Sequence, residues 1–483
     1  MRFRTYLSGK QDFHFWGGTV LQVCRSEPAV WDAINAIIAL FESANPSLDP
    51  VFLGRRERQL HLDQTQKEAL VWYSRSLYRI RLQIERRNVD ECTAMVSCVL
   101  FTCIEALQGR VEAALQLYQQ GVRLILDLRA KTPFGSTKAA FLEDTIIPLF
   151  IRLGTVALSI SGVPACDLFS PVEGHTGYNF TSHEAARATI VAIAAEGMLF
   201  YRTAGEHFIA AGYDFDVPQE FILKQKILQC RLTSWHRAYA HFGNTGHRRS
   251  PNELDMDPSA AAVLLTYHAA TSVLVSTCLA EHETVYDDYT PHFQAIVEQS
   301  RVTLDASVGP DGTQPPFTFE MGVGLPLYLT VLKCRHPGLR REALSLLQKA
   351  PRVQGLYKCT PGAALAGTAL MLEEEFGQAV REPSWRIVRD GGEVIRHEGG
   401  SIPAALADPG RDNTDSTPFI PEEARIQIIG IFRPRDTPWR AVEHDVGKWN
   451  RGPDQIFLKF ARRLHDPIQG TWRLVDGIVP IDY

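Results

Sequence analysis

Through the first two-thirds of the chain, apolar positions recur every three to four residues, the spacing of a helix that buries one face. Asp90 and Glu91 supply a cap and a first-turn acid ahead of Ala94–Ile104, a run apolar on every side and so expected among other helices. Gly109 breaks that run. Val111, Ala114, Leu115, Tyr118, Val122 and Ile125 then return at helical spacing and predict an amphipathic helix folding back on its predecessor. Similar periodic segments lie near 28–43, 67–87, 138–161, 182–212, 217–242, 258–280, 291–305 and 338–350. Polar or Pro/Gly-rich breaks near 44–56, 163–180, 244–258, 308–316 and 351–362 read as connections, with Ser170–Ser182 expected to shape a surface pocket. No fixed period relates the segments, which argues against a regular solenoid.

The texture changes after about residue 380. Asp390-Gly391-Gly392, flanked by Arg386–Arg389 and Glu393–Arg396, predicts a tight hairpin. Gly399–Pro421 is rich in Gly, Pro, Asp and Thr and reads as a loop or linker. Arg425–Phe432, Ile456–Phe460 and Trp472–Val475 are expected to be short extended or helical elements closing the fold. The predicted architecture is mainly α: an irregular multi-helix array of antiparallel helix pairs, with a loop-rich C-terminal region containing a few short strands. Two parts follow, a helical body over 1–380 and an extension over 381–483 packed on it.

Composition narrows the function classes. With 483 residues, 45% hydrophobic and 22% charged, the chain can bury a large core, which excludes disorder throughout. A net charge of −5 and a pI near 6.3 argue against a broad nucleic-acid surface, so direct DNA contact by these residues alone is expected to be weak. Nine cysteines spread over so long a chain read as reduced core thiols of an intracellular protein. Met1–Tyr6 holds no apolar run of the signal-peptide kind. Ser259–Ala280 carries no Asp, Glu, Lys or Arg, but Thr266, His268, Thr271, Ser272, Ser276 and Thr277 would be poorly solvated in lipid, so the stretch reads as a buried helix. Thr145–Val163, with Pro148 and Arg152, reads the same way.

The run Phe317–Leu347, continuing through Pro351–Tyr357, resembles part of the helical regulatory domain of fungal binuclear-zinc-cluster transcription factors. The likeness lies in Phe317-x-Phe319, Pro326-Leu-Tyr328, Lys333-Cys-Arg-His-Pro337, an amphipathic helix, and the stop Gly355-Leu-Tyr357. Phe15-Trp16 with the helix that follows is similar to the opening segment of that domain. Ala69–Ile84 and Leu107–Ala114 with Gly121–Leu124 are similar to its next helices. The resemblance covers roughly 13–380 and implies a mostly α regulatory domain, nuclear, controlling a metabolic or secondary-metabolite gene set. In complete members a six-cysteine cluster binds two zinc ions ahead of this region. This chain has no C-x2-C, and the dozen residues before Phe13 are too few for such a cluster. The resemblance therefore implies the sensor half without its own DNA reader.

Candidate chemistry is sparse. Cys92, Cys98 and Cys103, six and five residues apart, would project their thiols roughly 120–140° apart around a helix and cannot converge on one ion. His236, His241 and His247, with Trp235, Tyr239, Phe242, Arg248 and Arg249 nearby, form the most functional-looking patch. Their spacing misses the three or four residues that helical metal ligands want, and cations near a helix C-terminus are the plainer explanation. His268 in the uncharged helix and His336 beside Pro337 each read as a hydrogen-bonded core or cap residue. Arg335 and Arg340-Arg341 are expected to pair with acids on neighbouring helices, while Asp287-Asp288 and Glu373-Glu374-Glu375 are expected to face solvent. The chain shows no Walker loop, dinucleotide fingerprint, nucleophile elbow or zinc-protease helix. No cofactor or metal is expected. Trp235, His236, His268 and Arg335 are the pocket candidates.

Two functions fit this reading. The first is a regulator-like protein that senses a small-molecule effector and acts through a DNA-binding partner protein, with self-association open and no membrane contact. The second is a cofactor-free cyclase, an isomerase or a small-molecule binding protein recruited from the same scaffold.

Overall fold

A computed structural model describes residues 14–43, 63–86, 90–133, 135–160, 168, 177–210, 217–246, 258–309, 311–319, 322–381, 420–434, 449, 451–452, 455–466 and 470–481. The hairpin expected over 386–396 lies outside these residues. So do nearly all of the loop over 399–421 and most of the connections near 44–56, 163–180 and 244–258.

The described chain is mainly α. A π-helical turn, His14–Thr19, leads into α1 (Val20–Ser26) and α2 (Pro28–Glu42), which carries proline in its first turn, where no N–H is needed. Next, α3 (Gln64–Glu85) starts from a capping box in which Asp63 accepts the Gln66 N–H at 2.6 Å and Gln66 accepts the Asp63 N–H at 3.1 Å. In α4 (Glu91–Leu107) the Asp90 carboxylate accepts the Thr93 N–H at 3.2 Å. As its all-round apolar character predicts, α4 is buried almost continuously from Met95 to Leu107. Gly109 ends it with φ of +74°, and α5 (Val111–Lys131) packs back as the expected αα-hairpin.

The body continues through α6 (Thr137–Phe141), α7 (Ile147–Ile160), α8 (His183–Ala210), α9 (Gln219–Gly246) and α10 (Pro258–Thr277). By length and composition α10 could cross a membrane, but 67% of its most apolar window is buried in the molecule. A 3-10 segment, Glu283–Tyr289, precedes α11 (Thr290–Ser307).

Beyond α11 the chain is denser in elements than its periodicity predicts. β1 (Phe317–Thr318) precedes α12 (Gly324–Lys333) and α13 (Pro337–Lys349), and the connection expected at 351–362 holds β2 (Val353–Gln354) and β3 (Tyr357–Lys358). β1 pairs parallel with β2, and β2 antiparallel with β3. Then α14 (Cys359–Arg381) begins where a loop was expected. The C-terminal region forms β4 (Ile426–Phe432), β5 (Phe457–Asp466) and β6 (Thr471–Pro480), an antiparallel sheet in that order with a bulge between Ile428 and Gly430.

One large core joins α1–α10 to β1–β3. A second lies among α10–α14. A third sits between α14 and the C-terminal sheet, where Phe376 and Phe460 stand 6.0 Å apart and Arg462 lies over the Phe376 ring.

Candidate functional site

Where α8, α10 and α12 meet the β2–β3 turn they enclose a cavity of about 300 Å³. Its wall is predominantly apolar, with the rings of Tyr201, Tyr267, Tyr328 and Tyr357 set among Met198, Leu274, Leu325 and Leu329. Such a composition suits an apolar, ring-bearing ligand oriented by a few polar groups.

Two glycines make this wall possible. A Cβ on Gly322 would come within 2.3 Å of the Gln354 side chain, and one on Gly324 within 2.6 Å of Cys359 Sγ and 3.1 Å of the Tyr357 ring. Their bareness lets the β2–β3 turn lie against the start of α12, where Gln354 Oε1 accepts the Gly324 N–H at 2.7 Å. The Tyr357 hydroxyl is buried with no hydrogen-bond partner among the described residues. Burial, then Cys359 and Tyr328, pushes its pKa well up. The Tyr328 pKa is pushed up by burial and then by Tyr201, and that of Tyr201 by Tyr286 first and then by burial. These phenols stay protonated and keep an O–H to offer a ligand.

At one end of the cavity stands Lys333. Its ammonium lies 2.6 Å from Glu283 Oε1 and 5.0 Å from the centre of the Tyr286 ring. Glu283 Oε2 is 3.1 Å from Arg335, which also reaches Glu373 at 2.8 Å, and Arg340 lies 2.6 Å from the other Glu373 oxygen. Burial alone would push the Glu373 carboxyl up, but Arg335 and Arg340 outweigh it and hold the group below the usual carboxylate range. Glu373 is fully buried, against the expectation that the 373–375 run faces solvent. Being paired and hydrogen-bonded, it also accepts the Ile426 N–H at 2.8 Å. Asp287 departs from the same expectation, because its carboxylate takes both Arg425 terminal nitrogens, at 2.9 and 2.6 Å.

The four sequence candidates split into two places. Trp235, His236 and His268 come together between α9 and α10, away from the cavity wall. Trp235 is fully buried, donates Nε1–H to the Ala186 carbonyl at 2.9 Å, and stacks on Tyr239 and His268 at 4.8 and 5.6 Å. His236 stacks on His268 at 4.7 Å. His268 Nε2 lies 3.2 Å from the Leu232 carbonyl, which fixes the proton on that nitrogen. Burial first, then His236, depresses its pKa to about 4, so it is neutral near pH 7. This is a satisfied aromatic stack, and no group of three His, Cys, Asp or Glu side chains among the described residues could hold a metal. His247, Arg248 and Arg249 lie outside the described residues, and α9 runs on to Gly246, so His236 sits within the helix rather than at its end.

Arg335 lies in the buried ion network instead, 2% exposed, and Arg341 pairs with Glu374 at 2.7 Å, as the arginine run predicts. His336 Nδ1 accepts the Leu339 N–H at 3.3 Å and so caps α13, as read.

Sequence reasoning missed the cavity tyrosines and Lys333 as a set. A partial signal was present, since Pro326, Tyr328, Lys333 and Tyr357 all belong to the motif that carries the resemblance. The other halves of that motif also meet: Trp16 and Phe319 are 5.3 Å apart, and Phe41 and Phe317 are 6.4 Å apart, both edge to face. Tyr201 and Tyr267 sit in helices with no local mark of a site. No protein-family model matches the chain, and no curated protein and no solved structure matches it.

Proposed function

We propose that this chain is a ligand-sensing protein of the transcription-regulator kind, holding a small apolar effector in the tyrosine-lined cavity. The observation that carries the proposal is the cavity itself, about 300 Å³ and walled by Pro326, Tyr328, Lys333 and Tyr357 of the regulator-like segment. The resemblance adds the rest: control of a metabolic gene set from the nucleus, exerted through a DNA-binding partner protein rather than by direct DNA contact, and without membrane association.

Binding is tested by titrating the purified protein with 1-naphthamide in a calorimeter. Saturable binding is expected, weakened at least tenfold in Ala270→Phe and in Ala194→Leu, either of which fills the cavity. Unchanged affinity in both folded variants refutes the site. Deletion of the gene is expected to alter a defined transcript set. Normal transcripts with accumulation of a biosynthetic intermediate would instead favour a cofactor-free isomerase or cyclase, in which the unpartnered Tyr357 hydroxyl would orient the substrate as a hydrogen-bond donor.

A further inference from the structure

We infer that the ligand of this cavity is an organic acid, an apolar ring system whose carboxylate pairs with Lys333. The inference rests on the cavity being a binding site and specifies the chemistry of its occupant.

Three observations converge. Among the described residues that line the cavity, the charged side chains are Lys333 and Arg202, both cations, with no acid beside them. The ion pairs behind that wall set three cations, Lys333, Arg335 and Arg340, against two carboxylates, Glu283 and Glu373. Arg335 is held from both sides, by Glu283 and by Glu373, so Lys333 must share Glu283 with it. Finally, an ammonium carries three donors, and among the described residues Lys333 Nζ has one hydrogen-bond acceptor, Glu283. Its remaining donors meet an apolar cavity in which a charge-assisted bond is strong.

Arg202 pairs with Glu206 at 2.7 Å and is one-third exposed, whereas Lys333 is 14% exposed, so Lys333 is the cation more shielded from water and the stronger anchor.

The test compares two probes of nearly equal shape, 1-naphthoate and 1-naphthamide, by calorimetry near pH 7.5, where the acid is ionised. Wild-type protein is expected to bind the carboxylate about tenfold more tightly than the amide, the size of one charge-assisted contact. Lys333→Met is expected to abolish that preference, and Lys333→Arg to retain it. Equal affinity of wild-type protein for the two probes overturns the assignment and leaves the cavity reading standing. A preference that survives in folded Lys333→Met also overturns it. Binding of neither probe removes the cavity reading and this assignment together. The wild-type comparison needs no variant, so a poorly folding Lys333→Met does not remove the test.

Discussion

Arg335 cannot be exchanged for an apolar side chain without leaving two carboxylates buried, and this sets how costly its loss is. Glu283 and Glu373 are both less than one-tenth exposed, and without its guanidinium each keeps a single cation, Lys333 or Arg340. Arg335→Met is therefore expected to destabilise the fold by about 3–5 kcal/mol. Arg341→Met, which removes a largely exposed pair with Glu374, should cost no more than about 1 kcal/mol. Urea unfolding followed by circular dichroism separates the two, and similar losses would show that the network is not what holds this region. His268 yields a pH prediction of definite sign. Its folded-state constant, about 4, lies below the ordinary value near 6.5, so the folded protein resists its protonation. Its contribution to stability is complete above about pH 6.5 and is lost as pH falls through the window down to about 4, at no more than about 1.4 kcal/mol per pH unit. His268→Gln should flatten that part of the profile of melting temperature against pH. The identity of Arg335 as a paired residue was legible in the sequence, but its partners, 52 and 38 residues away, were not.

Long elements with strong periodicity, such as α2, α4, α5 and α11, lie where the apolar pattern predicts them, because each buries one face against neighbours close in sequence. The shorter α12 escaped that reading: its ten residues hold too few turns for a period to register. α14 escaped for another reason, its Pro361-Gly362 start resembling a break although proline is tolerated in a first turn. Glycines within these elements divide by what surrounds them. Gly324→Ala would drive a methyl group into Cys359 and Gln354, and should lower stability by about 1–3 kcal/mol while weakening 1-naphthamide binding. Gly205→Ala, within α8 with nothing inside 4 Å of the new methyl, should raise stability by up to about 1 kcal/mol. Melting temperatures of the pair decide this, and a shift of the same sign in both would contradict the packing described at α12.

At the scale of the whole molecule, the C-terminal sheet is tied to the helical body by a polar clamp as well as by the core around Phe376 and Phe460. Glu422 accepts the backbone N–H groups of Glu283 and Thr284, each at 2.9 Å, and Arg425 donates to the Glu283 carbonyl at 2.9 Å and to Asp287. Glu422→Ala leaves two amides unpaired and should loosen the clamp by about 1–3 kcal/mol. Faster hydrogen exchange is expected in the Glu283–Tyr289 segment and β4 while α4 and α5 keep their protection; uniform acceleration across the chain would argue against a local clamp. Because the Glu283 side chain also holds Lys333, this clamp and the cavity share one residue. By itself the sequence determined the helical class, the α4–α5 hairpin, the capping of α4, and the pairing of the arginine run, since each depends on residues a few turns apart or on composition. Only the tertiary structure decided that Glu373 is buried, that Trp235 and His268 form a satisfied stack rather than a pocket, and that Tyr201, Tyr267, Tyr328, Tyr357 and Lys333 face one cavity. Those outcomes depend on which helices touch, and contacts made across 30 to 150 residues leave no periodic trace in the chain.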